Sequence, residues 1–453
     1  MLSSPSLSRR AEHFAVSPAF VQAMGKVFQN IYHEQNNPNG IINLAVAENV
    51  LVSEWLCNTF HEIAIRHPLE PSNLNYTNFS GANEFRVELV NRLFNQYIFK
   101  RGSVTSESHQ DDHFEKKFFD ISNYFVCNGA GDVLEMLGAS LCDPGEYIMV
   151  PAPLYLGFHN DFNKRFHNHV LPVQMPYDTE TKSFKLTVEM VREAFEKESK
   201  TKNIRAFLLC NPNNPTGDMF DANIIRGLID FCKEKSIHYI SDELYALSVF
   251  GEGESFVSAA NVMQEDDRDY VHIVYSFSKD LCLNGFRIGV LFTMNEQLKK
   301  VFDTCSYFTG VSSHTQHLMT HFLRSKDKVS QFLELNRKKL AEQYALISSF
   351  LRERNIEYVE TRAGLFIWFN VERLMKQYVF RKGIMKTPSL QDTLTQEEEY
   401  QVWLDVIDHA LVNISPAQFY LTNLTGWVRV CFSAQKTETL FLAMERFFNL
   451  MNE

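Results

Sequence analysis

A chain of 453 residues, 45% hydrophobic and 22% charged, is long enough for two domains around substantial cores. Its formal charge of −11 argues against partners such as nucleic acid or an anionic membrane, which need clustered Lys and Arg. The eight cysteines are scattered without a CxxC pair or zinc spacing, so they read as reduced core residues, and no metal is expected.

No segment reaches the roughly 20 apolar residues of a membrane span, and no apolar block follows Arg9 and Arg10, so a cytoplasmic protein is expected. Residues 1–50 form an N-terminal arm assigned to the smaller domain, with helical spacing from Phe20 to Tyr32 and a turn at Asn36-Asn-Pro-Asn-Gly40. A short apolar strand from Ile41 then ends on Ala47, Glu48 and Asn49, which fits either a turn or part of a site. Residues 53–66 and 83–98 have helical spacing around the aromatic loop Asn75-Tyr-Thr-Asn-Phe-Ser-Gly81. The polar run at 101–120 reads as a surface insertion.

From Ser122 onward short β-rich runs alternate with amphipathic stretches, the pattern of an α/β domain with a mostly parallel sheet flanked by helices. Strands are predicted at 124–127, 147–150, 169–174, 206–210, 238–241, 272–275 and 287–292, and helices at 132–142, 186–199, 221–235 and 295–304. Beyond about residue 310 the pattern changes to long helices, one over 328–353, with strands at 364–369 and 427–432 and a polar surface loop near 380–397. A large domain over 51–315 and a smaller α+β domain over 316–453 are expected.

The chemistry concentrates where strands end. In Ser276-Phe-Ser-Lys-Asp280, Ser276 and Ser278 fall on one side if the segment is extended, and Lys279 follows them; Arg287 adds a planar donor fork suited to phosphate. A lysine beside other cations deprotonates more easily, and a neutral amine forms a Schiff base with an aldehyde such as pyridoxal phosphate; a surface Ser-Lys turn is the plainer alternative. Asn128-Gly-Ala-Gly-Asp132 opens a helix after a strand, so the N–H groups at Gly129, Ala130 and Gly131 can cradle a phosphate. Tyr155 suits stacking on a flat ring or ordinary packing. Asn214 can donate to a phenolic oxygen, with Tyr245 beside it, and Asp242 ends an apolar strand where a lone carboxylate is costly, so it calls for a cation such as a protonated pyridine nitrogen. Arg429, inside a strand, needs an anion: a substrate carboxylate or a structural ion pair.

Taken together, these motifs resemble the fold-type I pyridoxal phosphate enzymes, in the branch of class I/II aminotransferases and 1-aminocyclopropane-1-carboxylate synthases. The resemblance covers nearly the whole chain. It implies pyridoxal 5'-phosphate as cofactor, Lys279 as the Schiff-base residue, and Ser276, Ser278, Arg287 and the 129–131 turn as phosphate ligands. It further implies Asn214, Asp242 and Tyr245 on the ring, Tyr155 stacked on it, and Arg429 on the substrate carboxylate. Leu44-Ala-Val-Ala-Glu-Asn49, Val311-Ser-Ser-His-Thr-Gln-His317, Asn413-Ile-Ser-Pro416 and Arg429-Val-Cys-Phe432 are most similar to the synthase group, which places Ala47 and Glu48 at the substrate. The family's Gln-Asp-Tyr-His-Gly run reads Thr77-Asn-Phe-Ser-Gly81 here, so the tyrosine that reaches the neighbouring subunit is Phe79, with Tyr76 or Ser80 as possible substitutes. The expected activity is a lyase acting on S-adenosylmethionine or a related sulfur amino acid, in a homodimer with shared sites. An aminotransferase, a C–S lyase and a catalytically silent cofactor-binding protein are the alternatives.

Overall fold

The computed structural model describes residues 6–15, 19–101, 113–383 and 393–453. Parts of the expected insertion at 101–120 and of the expected loop near 380–397 lie outside the described residues.

Seven strands form the central sheet: β1 (Tyr124–Cys127), β2 (Tyr147–Ala152), β3 (His169–Gln174), β4 (Ile204–Cys210), β5 (His238–Asp242), β6 (Val271–Ser276) and β7 (Gly289–Thr293). Their order is β1-β7-β6-β5-β4-β2-β3. The interior strands are apolar almost throughout because helices cover both faces, leaving no solvent side to alternate with. Pro172 is accommodated because β3 is an edge strand. Covering helices begin at residues whose side chains satisfy free N–H groups: Asp221 accepts from Asn223 and Ile224 at 2.8 and 3.0 Å, and Asn295 from Gln297 and Leu298 at 3.0 Å each. Such caps are each worth about 1 kcal/mol.

β7 departs from the expected strand in two ways. It starts at Gly289 rather than Arg287, and it runs antiparallel to both neighbours. Arg287 itself sits in the left-handed region at φ +55°, turning the chain so that β7 enters against the turn after β1. Gly289 is required there, since a Cβ would lie 2.3 Å from the Gly129 carbonyl carbon. The helix expected over 83–98 is α-helical at Asn83–Glu88 and continues as a wider π-helix at Leu89–Ile98, a distinction that apolar spacing does not carry.

A second, antiparallel sheet holds β8 (Glu357–Tyr358), β9 (Phe366–Asn370), β10 (Ser415–Pro416) and β11 (Trp427–Cys431) in the order β8-β9-β11-β10. Its core takes in Ala23, Val27, Ile41, Ile42 and Leu44 from the chain's beginning, where Ile42–Asn43 also pairs with Val412–Asn413. The long helix Lys326–Glu353 links the two cores: Val329, Phe332 and Leu333 pack with the large sheet, Leu340, Ile347 and Leu351 with the small one.

Candidate active site

Parallel strands end at one edge of a sheet, so β1, β2, β4, β5 and β6 deliver their following residues to a common crevice. A cavity of about 420 Å³ opens there. It is lined by Ala47, Ala130, Gly131, Tyr155, Asn214, Asp242, Tyr245, Ser276, Ser278, Lys279, Arg287 and Arg429. Of the residues assigned in the sequence to cofactor or substrate within one chain, Gly129 and Glu48 are not in its lining. Gly129 caps the helix Ala130–Leu141 at φ +91° and lies against Arg287, where a Cβ would meet the guanidinium at 2.3 Å. Glu48 is exposed, and its charge favours the protonated form of Lys279.

The segment carrying Lys279 is not extended as expected. Ser276 ends β6 and caps a single helical turn, Phe277–Asp280, accepting from the Ser278 N–H at 3.1 Å. The turn still brings the two hydroxyl oxygens within 2.9 Å of each other. Lys279 Nζ donates to the Ala47 carbonyl at 2.7 Å, an oxygen that Asn284 Nδ2 approaches at 3.3 Å. Burial, helped by the charges of Arg429 and Arg287, brings the Lys279 amine down to about 8.

Among the described residues, two carboxylates face this cavity without a cationic side chain within salt-bridge distance. Asp242 is 3% exposed and accepts from the Leu244 N–H at 3.3 Å; burial pushes it up to about 7. Asp161, which the sequence reading missed, is raised to about 7 by burial and then by Asp242. It lies on the helix Gly157–Asn163 that follows Tyr155, in a stretch with no turn or strand end to mark it. Arg287 and Arg429 likewise pair with no carboxylate among the described residues. Arg287 donates to two carbonyls, Asn284 at 3.1 Å and Asn128 at 3.4 Å. Arg429 is buried, donates to Asn214 Oδ1 at 2.9 Å and to the Ala45 carbonyl, and leaves its Nε without a partner. This removes the structural ion pair as its explanation.

Asn214 Oδ1 is thus occupied by Arg429, and Asn214 Nδ2 has no partner among the described residues. Tyr245 is buried with its ring edge-on to Phe366 at 5.2 Å, and its hydroxyl bonds no described residue. The Tyr155 ring lies over Gly157, where a Cβ would come within 2.2 Å of it, and is 40% exposed on the cavity side. Tyr420, also missed, places its ring centroid 5.5 Å from the Arg429 guanidinium carbon. Nothing in the spacing around Tyr420 separates it from an ordinary core tyrosine.

The loop with Phe79 lies outside the cavity lining. Ser80 is turned inward, its Oγ 3.0 Å from Asp303 Oδ1 and 3.2 Å from Ser306 Oγ, so it is not available to another subunit. Tyr76 is 93% exposed, with its ring 5.8 Å from that of Phe79.

These residues fit pyridoxal phosphate. The buried, unpaired Asp242 calls for a cation of the kind a pyridine nitrogen supplies, and Arg287, the serine pair and the helix N-terminus offer donors to a phosphate. Residues 39–447 match the family model described as aminotransferase class I and II. The chain is 31% identical over 438 residues to 1-aminocyclopropane-1-carboxylate synthase of Glycine max, covering 93% of this chain and 83% of that protein. It is also 31% identical over 436 residues to 1-aminocyclopropane-1-carboxylate synthase 7 of Arabidopsis thaliana, covering 94% and 90%. Among solved structures, an archaeal alanine:glyoxylate aminotransferase superposes with a TM-score of 0.77 at 18% identity, over 98% of each chain. The aspartate aminotransferase of Thermotoga maritima gives 0.71 at 18% identity, over 99% of this chain and 100% of that one, and both likenesses show the fold. This chain therefore belongs to the class I and II aminotransferase family and is a pyridoxal-phosphate-dependent enzyme of its α/β fold.

Proposed function

We propose that this enzyme is a lyase of the 1-aminocyclopropane-1-carboxylate synthase kind, acting on S-adenosylmethionine or a related sulfur amino acid. The similarity to synthases along most of the chain supports this, and one observation carries it: the charge of the cavity wall. Its cations are Lys279, Arg287 and Arg429, which the cofactor and the substrate's α-carboxylate occupy. No further cation lines it among the described residues, so a second substrate carboxylate finds no partner there, which fits a substrate that carries a single carboxylate.

When bound, pyridoxal phosphate supplies an electron sink for a substrate carbon. Asp242 would stay ionised against the ring nitrogen, Asn214 Nδ2 and the Tyr245 hydroxyl would donate to the phenolic oxygen, and Tyr155 would cover the ring. Ser276, Ser278, Arg287 and the turn at 129–131 would hold the phosphate. Arg429 would grip the substrate carboxylate with two parallel N–H donors, while Ala47 borders the substrate from the cavity wall. Lys279 Nζ, in its neutral form, would take the proton from the α-carbon. Joining the α-carbon to the γ-carbon then releases the sulfur, with the electron pair of its bond, as a neutral thioether.

Incubating the cofactor-loaded protein with S-adenosylmethionine and, separately, with aspartate should give aminocyclopropane carboxylate plus methylthioadenosine from the first and no turnover of the second. Conversion of aspartate to its keto acid, with S-adenosylmethionine untouched, would make the protein an aminotransferase. Arg429→Lys should lower kcat/KM roughly 10- to 150-fold, the effect of losing about 1.5–3 kcal/mol of charge-assisted hydrogen bonding, mostly through KM. An unchanged KM would remove Arg429 from the substrate.

We further propose a homodimer. Tyr76 and Tyr307 (65% exposed) flank Phe79, at ring separations of 5.8 and 5.2 Å, and Phe308 (83% exposed) lies 5.2 Å from Tyr307, which makes an exposed aromatic patch. Light scattering should give twice the chain mass, and Tyr307→Asp with Phe308→Asp should give the monomer; a monomeric wild-type protein at assay concentration contradicts it. The division into domains near residue 315 is proposed on the same basis as the two cores, with the helix Lys326–Glu353 bridging them.

A further inference from the structure

Away from the active site, a cleft of about 340 Å³ lies between the end of the π-helix Leu89–Ile98 and the long helix Lys326–Glu353. Two cations stand on its wall, Lys100 and Arg337, and neither has a carboxylate within salt-bridge distance among the described residues. Surface cations ordinarily find an acid nearby. Here the one acid in the lining, Glu254, is drawn to Arg362 at the rim. Lys100 sits in the left-handed region at φ +53° and is held in place by its own bonds, Nζ donating to Ser255 Oγ at 2.8 Å and to the Phe256 carbonyl at 3.1 Å. Arg337 uses its Nε on the Leu333 carbonyl of its own helix at 3.2 Å, which leaves both terminal nitrogens of the fork without a described partner. Burial, and then the charge of Arg337, lowers the proton affinity of Lys100, so the two cations repel and an anion between them relieves both.

We propose that this cleft is a second anion site, taking a phosphate group, free or carried on a small molecule, between Lys100 Nζ, Ser255 Oγ and the Arg337 fork. A guanidinium fork, an ammonium and a hydroxyl supply donors to three or more oxygens, which a phosphate presents and a carboxylate, with two, does not. Gln96 and Tyr97 line the same cleft and leave room for the remainder of a phosphorylated molecule.

The test uses the cofactor-loaded protein, titrated with inorganic phosphate at constant ionic strength against chloride, with the thermal midpoint and the cofactor's absorbance followed together. A saturable rise in midpoint is expected, with absorbance unchanged, and the apparent Kd should weaken at least about tenfold in Arg337→Gln. Lys100→Gln should act the same way, and if it fails to fold, Arg337→Gln still decides, because that side chain is exposed and, among the described residues, bonds only its own helix. No saturable rise, or an equal Kd in Arg337→Gln, would overturn the proposal, as would a rise that comes with loss of the cofactor's absorbance, since the phosphate would then be at the cofactor site.

Discussion

Lys279→Ala should lower turnover by about 10²- to 10⁴-fold or more, because it removes the general base and the cofactor's tether together. The visible absorbance of the bound cofactor should vanish with it. The structure puts Nζ on the Ala47 carbonyl with its proton affinity brought down to about 8 by burial, Arg429 and Arg287. At pH 7 roughly a tenth of such an amine is neutral, against less than about a thousandth for an ordinary lysine. Cofactor capture by the apoprotein should therefore quicken about tenfold per pH unit below 8 and level off above it. A rate still climbing between pH 9 and 10 would mean that the amine keeps an ordinary proton affinity.

Asp242→Asn should cost about 10²- to 10³-fold in turnover, since the amide cannot hold the ring nitrogen in its protonated state, and removing one member of a buried charge pair costs about 3–5 kcal/mol. The same substitution should stabilise the apoprotein. Asp242 is raised to about 7 when folded, so the folded state resists its ionisation. Its contribution is neutral below the unfolded value of 3.8, worsens as pH rises, and is fully unfavourable above 7, where it amounts to roughly 4 kcal/mol. The difference in unfolding free energy between Asp242→Asn and wild-type apoprotein should grow over that window and then flatten. In cofactor-loaded protein the cation on the ring reverses the sign. Asp161, Glu243 and Asp280 are raised to similar values, so the comparison between the two proteins carries the result rather than either curve alone.

Much of this site was legible because its residues sit where strands end, and strand ends are marked in the sequence by an apolar run giving way to Gly, Pro, Asn or a charge. Asn128, Asn211 and Asp242 each carry that mark. Asp161 and Tyr420 do not: the first lies on a helix and the second in a helical turn, so only packing brings them to the cavity. The direction of β7 was also hidden, because antiparallel entry depends on Arg287 adopting a left-handed turn and on Gly289 clearing the Gly129 carbonyl. Apolar spacing is the same for a strand run in either direction. Ser276 and Ser278 came together as expected but through a helical turn, which shows that a shared face can be reached by a backbone other than the one assumed.

Borohydride reduction of the cofactor-loaded protein, followed by peptide mapping, addresses the assignment of Lys279 most directly. The account predicts a pyridoxyl group on the peptide containing Lys279 and on no other. The same mass on a different lysine, or a Lys279→Ala protein that still carries reducible cofactor, would contradict it.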